Sequence, residues 1–207
     1  MKNYKKNLKL LKDNHVYSEE MEHDACGVGV IVSTEGKKSR AIVEHGIEAL
    51  KAVWHRGAVD ADGKTGDGAG IHLEIPKDFF IEKIEVTGHD YDHSEICVGM
   101  IFLPRNDYSA QESCKTIVES ELTKNNFSIY GWRQVPVNPK ILGQKALQTM
   151  PEIMQVLFKS NDKNLLDKDL ERKIYETRKK IENKAFQLSL NNFYICSISS
   201  KSIIYKG

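Results

Sequence analysis

The 207-residue sequence has no long apolar run and almost no net charge, and both absences narrow the class of protein. No stretch approaches the roughly 20 apolar residues of a membrane-spanning helix, so we expect no membrane partner. Thirty basic and 29 acidic side chains leave a net charge of +1, which gives no indication of a nucleic-acid partner. With 40% hydrophobic residues, the chain is expected to form one soluble globular domain with a sizeable core.

Paired cysteine motifs and targeting signals are missing as well. The cysteines at positions 26, 97, 114 and 196 include no CxxC pair, which is typical of a reducing compartment. Residues 1–25 contain no apolar segment of signal-peptide length, no arginine and a single serine, which argues against an export signal or a transit peptide. The predicted location is cytoplasmic.

Two short patterns could bind ligands, but neither is convincing. Residues 63–65 (Gly-Lys-Thr) match the end of a phosphate-binding P-loop, yet that motif needs a glycine at position 58, where Ala58 stands. Two histidines and two aspartates in residues 89–93 could chelate an ion, but a polar loop of this kind is more often solvated. We therefore predict neither a nucleotide site nor a metal site.

Hydrophobic periodicity predicts strands and helices that are interleaved along the chain. We predict strands over 28–32, 69–75, 96–103, 127–137, 151–159, 193–198 and 202–205, and helices over 40–55, 77–84, 108–124 and 164–187. Ser39 is the predicted N-cap of the first of these helices, whose apolar face is Val43, Ile47, Leu50 and Trp54. Polar segments at 85–95 and 138–150 are read as connections without regular structure. This order indicates a layered α+β domain.

One cysteine stands where a charged leader gives way to a predicted buried strand. Cys26 opens this apolar stretch, and the glycines at 27 and 29 suggest that another part of the protein approaches the backbone closely. Taken alone, such a cysteine is more often simply packed in a core. Arg56 follows the first predicted helix and could merely cap its C-terminus. Residues 57–70 carry five glycines and three aspartates without apolar periodicity, which predicts a constrained loop.

Together, these stretches resemble the class II glutamine amidotransferases of the N-terminal nucleophile hydrolase superfamily, in particular the large chains of glutamate synthases. The matching strings are CGVGVIV at 26–32, HRGAVDADGKTGDGAGI at 55–71, GWRQVPV at 131–137, LERKIYETRKKIE at 170–182 and FYICSISSKSIIYKG at 193–207. The resemblance implies an α+β fold, the four-layer αββα sandwich, incomplete at the C-terminus. It also implies a leader or propeptide over 1–25, followed by the first part of the amidotransferase domain over 26–207.

The same resemblance assigns chemistry to particular residues. Cys26 would be the catalytic nucleophile that attacks the side-chain amide of glutamine, once residues 1–25 are removed and its α-amino group is free. That amine has a pKa of about 7.7 to 8.0, so it can act as a base near neutral pH. Arg56 and Gly57 would hold the nucleophile, and Asp67 and Gly68 would border the glutamine pocket. No residue is expected to bind a metal.

Two of the family's strings are missing from residues 1–207. The family takes its oxyanion donor from an asparagine followed by glycine, and it binds the glutamine carboxylate through the arginine of a His-Ser-Arg-Phe string. Both would come after the last predicted strand. Because an oxyanion donor is commonly worth about 100- to 1,000-fold in rate, this chain alone is expected to be nearly inactive.

Cofactors and partners follow from the resemblance too. It implies no cofactor in this fragment, and FMN with an iron–sulfur cluster (3Fe–4S) in the full-length parent, where ammonia would aminate 2-oxoglutarate to glutamate. The expected partners are glutamine, the remaining synthase domains, and an electron donor that is either a small subunit using NADPH or ferredoxin. The alternative from another class is a truncated, inactive product that acts as a binding or regulatory module or has no function.

Overall fold

The structure, a computed structural model, describes residues 2–14, 27–86 and 96–206. The helices are α1 Lys2–Asn14, α2 Arg40–Ala52, α3 Lys77–Glu85, α4 Tyr108–Lys124, α5 Gln144–Thr149 and α6 Asp167–Gln187. The strands are β1 Gly70–Glu74, β2 Cys97–Leu103, β3 Phe127–Gln134, β4 Glu152–Ser160, β5 Tyr194–Ser199 and β6 Ser202–Lys206. Single 3₁₀ turns occur at Trp54–Arg56 and Pro139–Ile141.

The strands form two antiparallel sheets, as expected for an α+β fold. Four of them lie in the order β3-β4-β2-β5, and β1 pairs with β6 in a separate two-stranded sheet. All of the pairings are antiparallel. The predicted α+β class is therefore confirmed.

The four-stranded sheet is covered on both faces. On one face, α4 and α6 pack against side chains such as Phe127 and Phe158, whose rings meet edge to face at 5.3 Å. On the other face, Met100 of β2 packs with Ile84 of α3 and Ile203 of β6. This burial on both sides explains why β2 reads as an almost continuous apolar run.

Several predicted helices are confirmed, and so is the one predicted N-cap. The Oγ of Ser39 accepts a hydrogen bond from the N–H of Ile42 at 3.4 Å, so Ser39 caps α2 as predicted. Helix α4 covers the whole predicted span and begins after Asp107, whose carboxylate accepts from the N–H of Ala110 at 2.9 Å. The residues on its inner face are buried, namely Cys114, Ile117, Val118, Glu121 and Leu122.

The prediction of a buried strand at 28–32 is wrong. These residues have no regular structure, and Val28, Val30 and Val32 are 91%, 80% and 70% exposed. No strand within residues 27–86 and 96–206 pairs with this segment, and a β-strand without a hydrogen-bonding neighbour is not stable in water. The close approach expected at Gly29 is also missing, since nothing described lies within 4 Å of a Cβ built there.

Two further predictions need correction, and one cannot be judged. Trp54 was placed on the buried face of α2, but the helix ends at Ala52 and the tryptophan is 75% exposed in the following 3₁₀ turn. The polar segment 138–150 is not irregular, because it holds a 3₁₀ turn and α5. Most of the predicted loop at 85–95, including the histidines and aspartates at 89–93, lies outside the described residues.

Gly99 lies in β2, in the interior of the four-stranded sheet, where a methyl group does not fit. A Cβ at this position would fall 2.7 Å from Cγ1 of the fully buried Val156. We expect Gly99→Ala to lower the free energy of unfolding by about 1–3 kcal/mol, the usual range for overpacking a core. Urea unfolding measures this, with Gly29→Ala as the matched control in open space. Equal midpoints for the two variants would contradict the packing described here.

Helices α4 and α6 are joined by a charged pair at a buried position. Glu121 is only 5% exposed, and its carboxylate accepts a hydrogen bond from Lys184, which is the main reason why the pKa of Glu121 is lowered from its ordinary value of 4.5. A carboxyl group with a lowered folded-state pKa stabilises the fold above its unfolded pKa and loses that contribution as pH falls through the folded one.

We therefore expect Glu121→Gln to lower the free energy of unfolding at pH 7, and the gap from wild type to shrink as pH falls below about 4.5. Urea unfolding at several pH values tests this. The control is Glu112→Gln in the same helix. Glu112 pairs with Lys115, but the Glu112 side chain is largely exposed, so this ion pair should contribute little to stability. A gap that stays constant with pH would show that the ion pair is not its source.

Candidate functional site

Residues 57–68 carry most of the predicted site residues and form a small β-hairpin, the 57–68 hairpin. The N–H of Gly57 donates to the carbonyl of Trp54 at 3.0 Å and turns the chain out of the 3₁₀ turn. Val59 and Gly66 form an antiparallel bridge, and the N–H of Asp60 donates to the carbonyl of Thr65 at 2.7 Å. The hairpin then leads directly into β1. The predicted constrained loop is confirmed, with a defined pairing that composition alone did not reveal.

Asp67 closes the base of this hairpin. Its Oδ2 accepts a hydrogen bond from the N–H of Ala58 at 2.9 Å, and its own N–H donates to the carbonyl of Ala58 at 3.2 Å. Ala58 follows Gly57 directly. The structure thus brings Gly57, Asp67 and Gly68 together, three of the five residues predicted to form the site.

The tip of the hairpin is fixed by a second carboxylate. Oδ1 of Asp62 accepts from the N–H groups of Lys64 and Thr65 at 2.9 and 2.7 Å, and Oδ2 accepts from the Thr65 hydroxyl at 2.6 Å. These bonds hold the pKa of Asp62 far below its usual range. The bond from the Thr65 hydroxyl is the largest cause, and the bonds from the backbone N–H groups add to it. The tip therefore keeps a fixed negative charge.

The other two predicted site residues are described only partly or not at all. Cys26 lies outside the described residues. Arg56 ends the 3₁₀ turn at Trp54–Arg56, so its backbone immediately precedes the hairpin, but its side chain lies outside the described part. The neighbouring His55 has its Nδ1 3.2 Å from the carbonyl of Ala52 and so faces back towards α2.

An apolar cavity of about 550 Å³ opens next to the point where the hairpin enters β1. It is lined by Ala69 and Gly70, by Leu50 of α2, and by the connection from Val135 to Ile153. None of the described lining residues is a predicted site residue. A cavity with so few polar groups does not suit the charged and amide groups of glutamine.

Sequence reasoning missed the residues that support the hairpin from outside. The Nζ of Lys145 lies 2.5 Å from Oδ2 of Asp60, and Gly143 is buried against the hairpin tip. Asp62, followed by Gly-Lys-Thr, carries a recognisable signal, because aspartate readily accepts bonds from backbone N–H groups two or three residues ahead. No local signal points to Lys145, which is 85 residues from its partner.

The described cysteines do not fit an iron–sulfur cluster. Cys97, Cys114 and Cys196 are buried, and burial raises the pKa of Cys114 to about 11 and that of Cys196 as well. Cluster ligands must be thiolates, which such surroundings disfavour. Within the described residues there is also no group of three or more His, Cys, Asp or Glu residues placed to hold a metal ion.

Membrane insertion by a helix finds no support in the part of the chain that the structure describes. None of the helices there combines the length and the apolar character needed to cross a bilayer.

Comparison with known proteins bears directly on these residues. The family model described as glutamine amidotransferases class-II matches residues 26–207. The chain is 51% identical over 204 residues to the glutamate synthase [NADPH] large chain of Azospirillum brasilense, covering 99% of this chain and 13% of that one. It is 40% identical over 188 residues to the ferredoxin-dependent glutamate synthase 1, chloroplastic/mitochondrial, of Arabidopsis thaliana, covering 90% and 12%.

The chain thus spans about an eighth of the length of these curated relatives. The family match covers every described residue from Gly27 to Lys206, including both sheets and the 57–68 hairpin. Since the match extends over most of its length, the chain belongs to the class II glutamine amidotransferases.

Proposed function

We propose that this chain is the N-terminal glutamine amidotransferase part of a glutamate synthase large chain, and that it releases ammonia from glutamine. The observation that carries the proposal is the starting point of the family match. It begins at Cys26, whose thiol can act as a nucleophile and whose α-amino group would be free if residues 1–25 were removed. The names of the relatives support glutamate synthase as the parent.

The proposed reaction uses both functional groups of Cys26. Cleavage after Ala25 frees the α-amino group, which takes the proton from the thiol. The thiolate attacks the side-chain carbonyl carbon of glutamine, and the tetrahedral intermediate collapses to a thioester as the protonated amine gives its proton to the departing ammonia. Water, deprotonated by the same amine, then attacks the thioester, and glutamate leaves as the cysteine thiol is restored. Each proton taken by the amine is returned, so the catalyst is unchanged.

The 57–68 hairpin supplies the surroundings of this chemistry. Arg56 and Gly57 stand at its first strand, and we assign to them the role of holding the nucleophile. Asp67 and Gly68 stand at its second strand, and we assign to them the border of the glutamine pocket. The hydrogen bond from the N–H of Ala58 to Oδ2 of Asp67, 2.9 Å long, supports this assignment. It holds the end of the hairpin that carries Arg56 and Gly57 next to the end that carries Asp67 and Gly68.

The four-layer αββα sandwich is the proposed arrangement of the complete domain. Helices α4 and α6, the four-stranded sheet, the β1–β6 sheet and α2 follow one another in this order, judged by their packing contacts. Ile71 of β1 also lies 3.4 Å from a Cβ built on Gly46 of α2, which supports α2 as the outer layer.

The remainder of the parent protein would use the ammonia. We propose synthase domains that bind FMN and a 3Fe–4S cluster, with electrons delivered by an NADPH-dependent small subunit or by ferredoxin, in a cytoplasmic enzyme. NADPH and ferredoxin each appear in the name of a relative. No residue described here is assigned to either group, and no step of the glutamine reaction passes through them.

A second function to be tested against this one is that of an inactive binding or regulatory module. An activity assay of the protein expressed from its full reading frame distinguishes the enzyme from the inactive module. Glutamine-dependent glutamate formation that disappears in Cys26→Ala supports the enzyme. A wild-type protein inert towards glutamine supports the module.

A further inference from the structure

The 57–68 hairpin has little hydrophobic packing of its own. Every residue in it is exposed except Asp60 and Thr65, which are half-buried. One β-bridge and a few hydrogen bonds hold its two arms together. Its position on the domain must therefore be set by contacts from elsewhere.

Those contacts come from residues 143–145, here called the 143–145 clasp. Gly143 is buried beneath the hairpin tip, so close that a Cβ would lie 2.5 Å from the backbone N of Thr65 and would also clash with the side chains of Thr65 and Asp62. The backbone of Gln144 is a further, minor cause of the lowered pKa of Asp62. Lys145 adds the 2.5 Å ion pair with Asp60.

The clasp ties the hairpin to a rigid part of the fold. It lies in the connection between β3 and β4, which are neighbours in the four-stranded sheet. Asp60 is the better shielded partner of the ion pair, with a side chain 32% exposed against 66% for Lys145. The bond from Ala58 to Asp67 then carries the hairpin's placement to Gly57 and Asp67 at its base.

We propose that Gly143 and Lys145 are positioning residues for glutamine hydrolysis, acting through Asp62 and Asp60 to place the hairpin that carries Gly57 and Asp67. This inference rests on the proposed function. Neither clasp residue touches the glutamine; both act on the loop that borders it. Because a displacement of about 1 Å can cost 100-fold in rate, we expect a shift of the hairpin to lower turnover.

Gly143→Ala is the first test, carried out in the full-length enzyme. The added methyl group meets backbone as well as side chains, so rotating a side chain cannot relieve it and the hairpin has to move. We expect kcat/KM for glutamine to fall at least 10-fold, while ammonia-dependent glutamate formation stays at the wild-type rate. Gly46→Ala in α2, where an added Cβ would make only an ordinary 3.4 Å contact with the side chain of Ile71, is the matched control for an added methyl group.

Exchanging the charges of the ion pair is the second test, which does not depend on Gly143→Ala folding. Lys145→Asp sets two carboxylates against each other and should lower kcat/KM for glutamine about 3- to 10-fold. The double variant Lys145→Asp with Asp60→Lys should recover most of that loss. Hydrogen exchange of peptides covering residues 57–68 should rise in the single variant and return in the double one.

The outcomes separate this proposal from the one it rests on. The clasp is supported if glutamine turnover falls in the single variant and recovers in the double variant, and if hydrogen exchange of residues 57–68 rises and returns in the same two variants. If Cys26→Ala abolishes glutamine turnover but the clasp variants leave kcat/KM and exchange unchanged, the clasp is overturned and the proposed function stands. If the wild-type enzyme does not use glutamine, the proposed function fails and the positioning role fails with it, whatever the exchange shows.

Discussion

Replacing Cys26 with alanine in the full-length protein is expected to abolish glutamine-dependent glutamate formation and to leave ammonia-dependent formation intact. Alanine has no thiol, so no thioester can form, and free ammonia bypasses the amide step. Loss of a catalytic nucleophile commonly costs several powers of ten in kcat, and we expect a drop of at least about 1,000-fold. Paired steady-state assays with glutamine and with ammonium salt measure both rates.

The matched control for this substitution is Cys114→Ala. Cys114 is buried in α4, and burial raises its pKa to about 11, so its thiol is not poised for attack. This variant should keep both activities. If Cys26→Ala removes both activities together, Cys26 has a structural role and the proposed mechanism is wrong.

Placing one extra glycine ahead of Cys26, in a protein made without residues 1–25, is expected to have the second largest effect. The added residue turns the α-amino group of Cys26 into an amide, which is not basic, and moves the free amine about 3.8 Å along the chain. General base catalysis typically contributes about 100- to 10,000-fold, so glutamine turnover should fall at least 100-fold. Ammonia-dependent synthesis should be unaffected.

The control here is the same protein beginning at Cys26 itself. It should match the enzyme obtained from the full reading frame in both activities. Equal glutamine turnover with and without the extra glycine would mean that another group serves as the base. In that case the thiol could remain the nucleophile, but the amine would have no part in the reaction.

Much of the fold could be predicted because its signals are local. Ser39 marks the start of α2, and the apolar spacing in residues 108–124 identifies the buried face of α4. The run at Cys97–Leu103 predicts a strand buried on both faces, as β2 is. Each of these features depends on residues within one element, where side-chain periodicity and capping decide the outcome.

One failure arose where a partner distant in the sequence decides the structure, and two arose where the local signals of a helix are weak. Residues 28–32 have the composition of a buried strand, yet composition cannot supply the neighbouring strand that would bury it. Trp54 follows the helical spacing of α2, but the helix ends first. The short helix α5 went unrecognised because six polar and apolar residues without a capping side chain give no clear period.

In the candidate site, too, some residues could be predicted from the sequence and others could not. Gly57, Asp67 and Gly68 stand in a glycine-rich string that resembles the family, and they meet at the base of one hairpin. The resemblance said nothing of Lys145 or Gly143, because their roles depend on a contact between segments about 80 residues apart. Only the three-dimensional arrangement reveals that the glycine at 143 is required by the close approach of the hairpin.

The most direct test of the central claim is the N-terminal sequence and intact mass of the protein expressed from its full reading frame. We predict a mature chain that begins at Cys26, with residues 1–25 removed, and full glutamine turnover in that species. A protein that still begins at Met1 and nevertheless hydrolyses glutamine at the full rate would contradict it, because the amine proposed as the base would not exist.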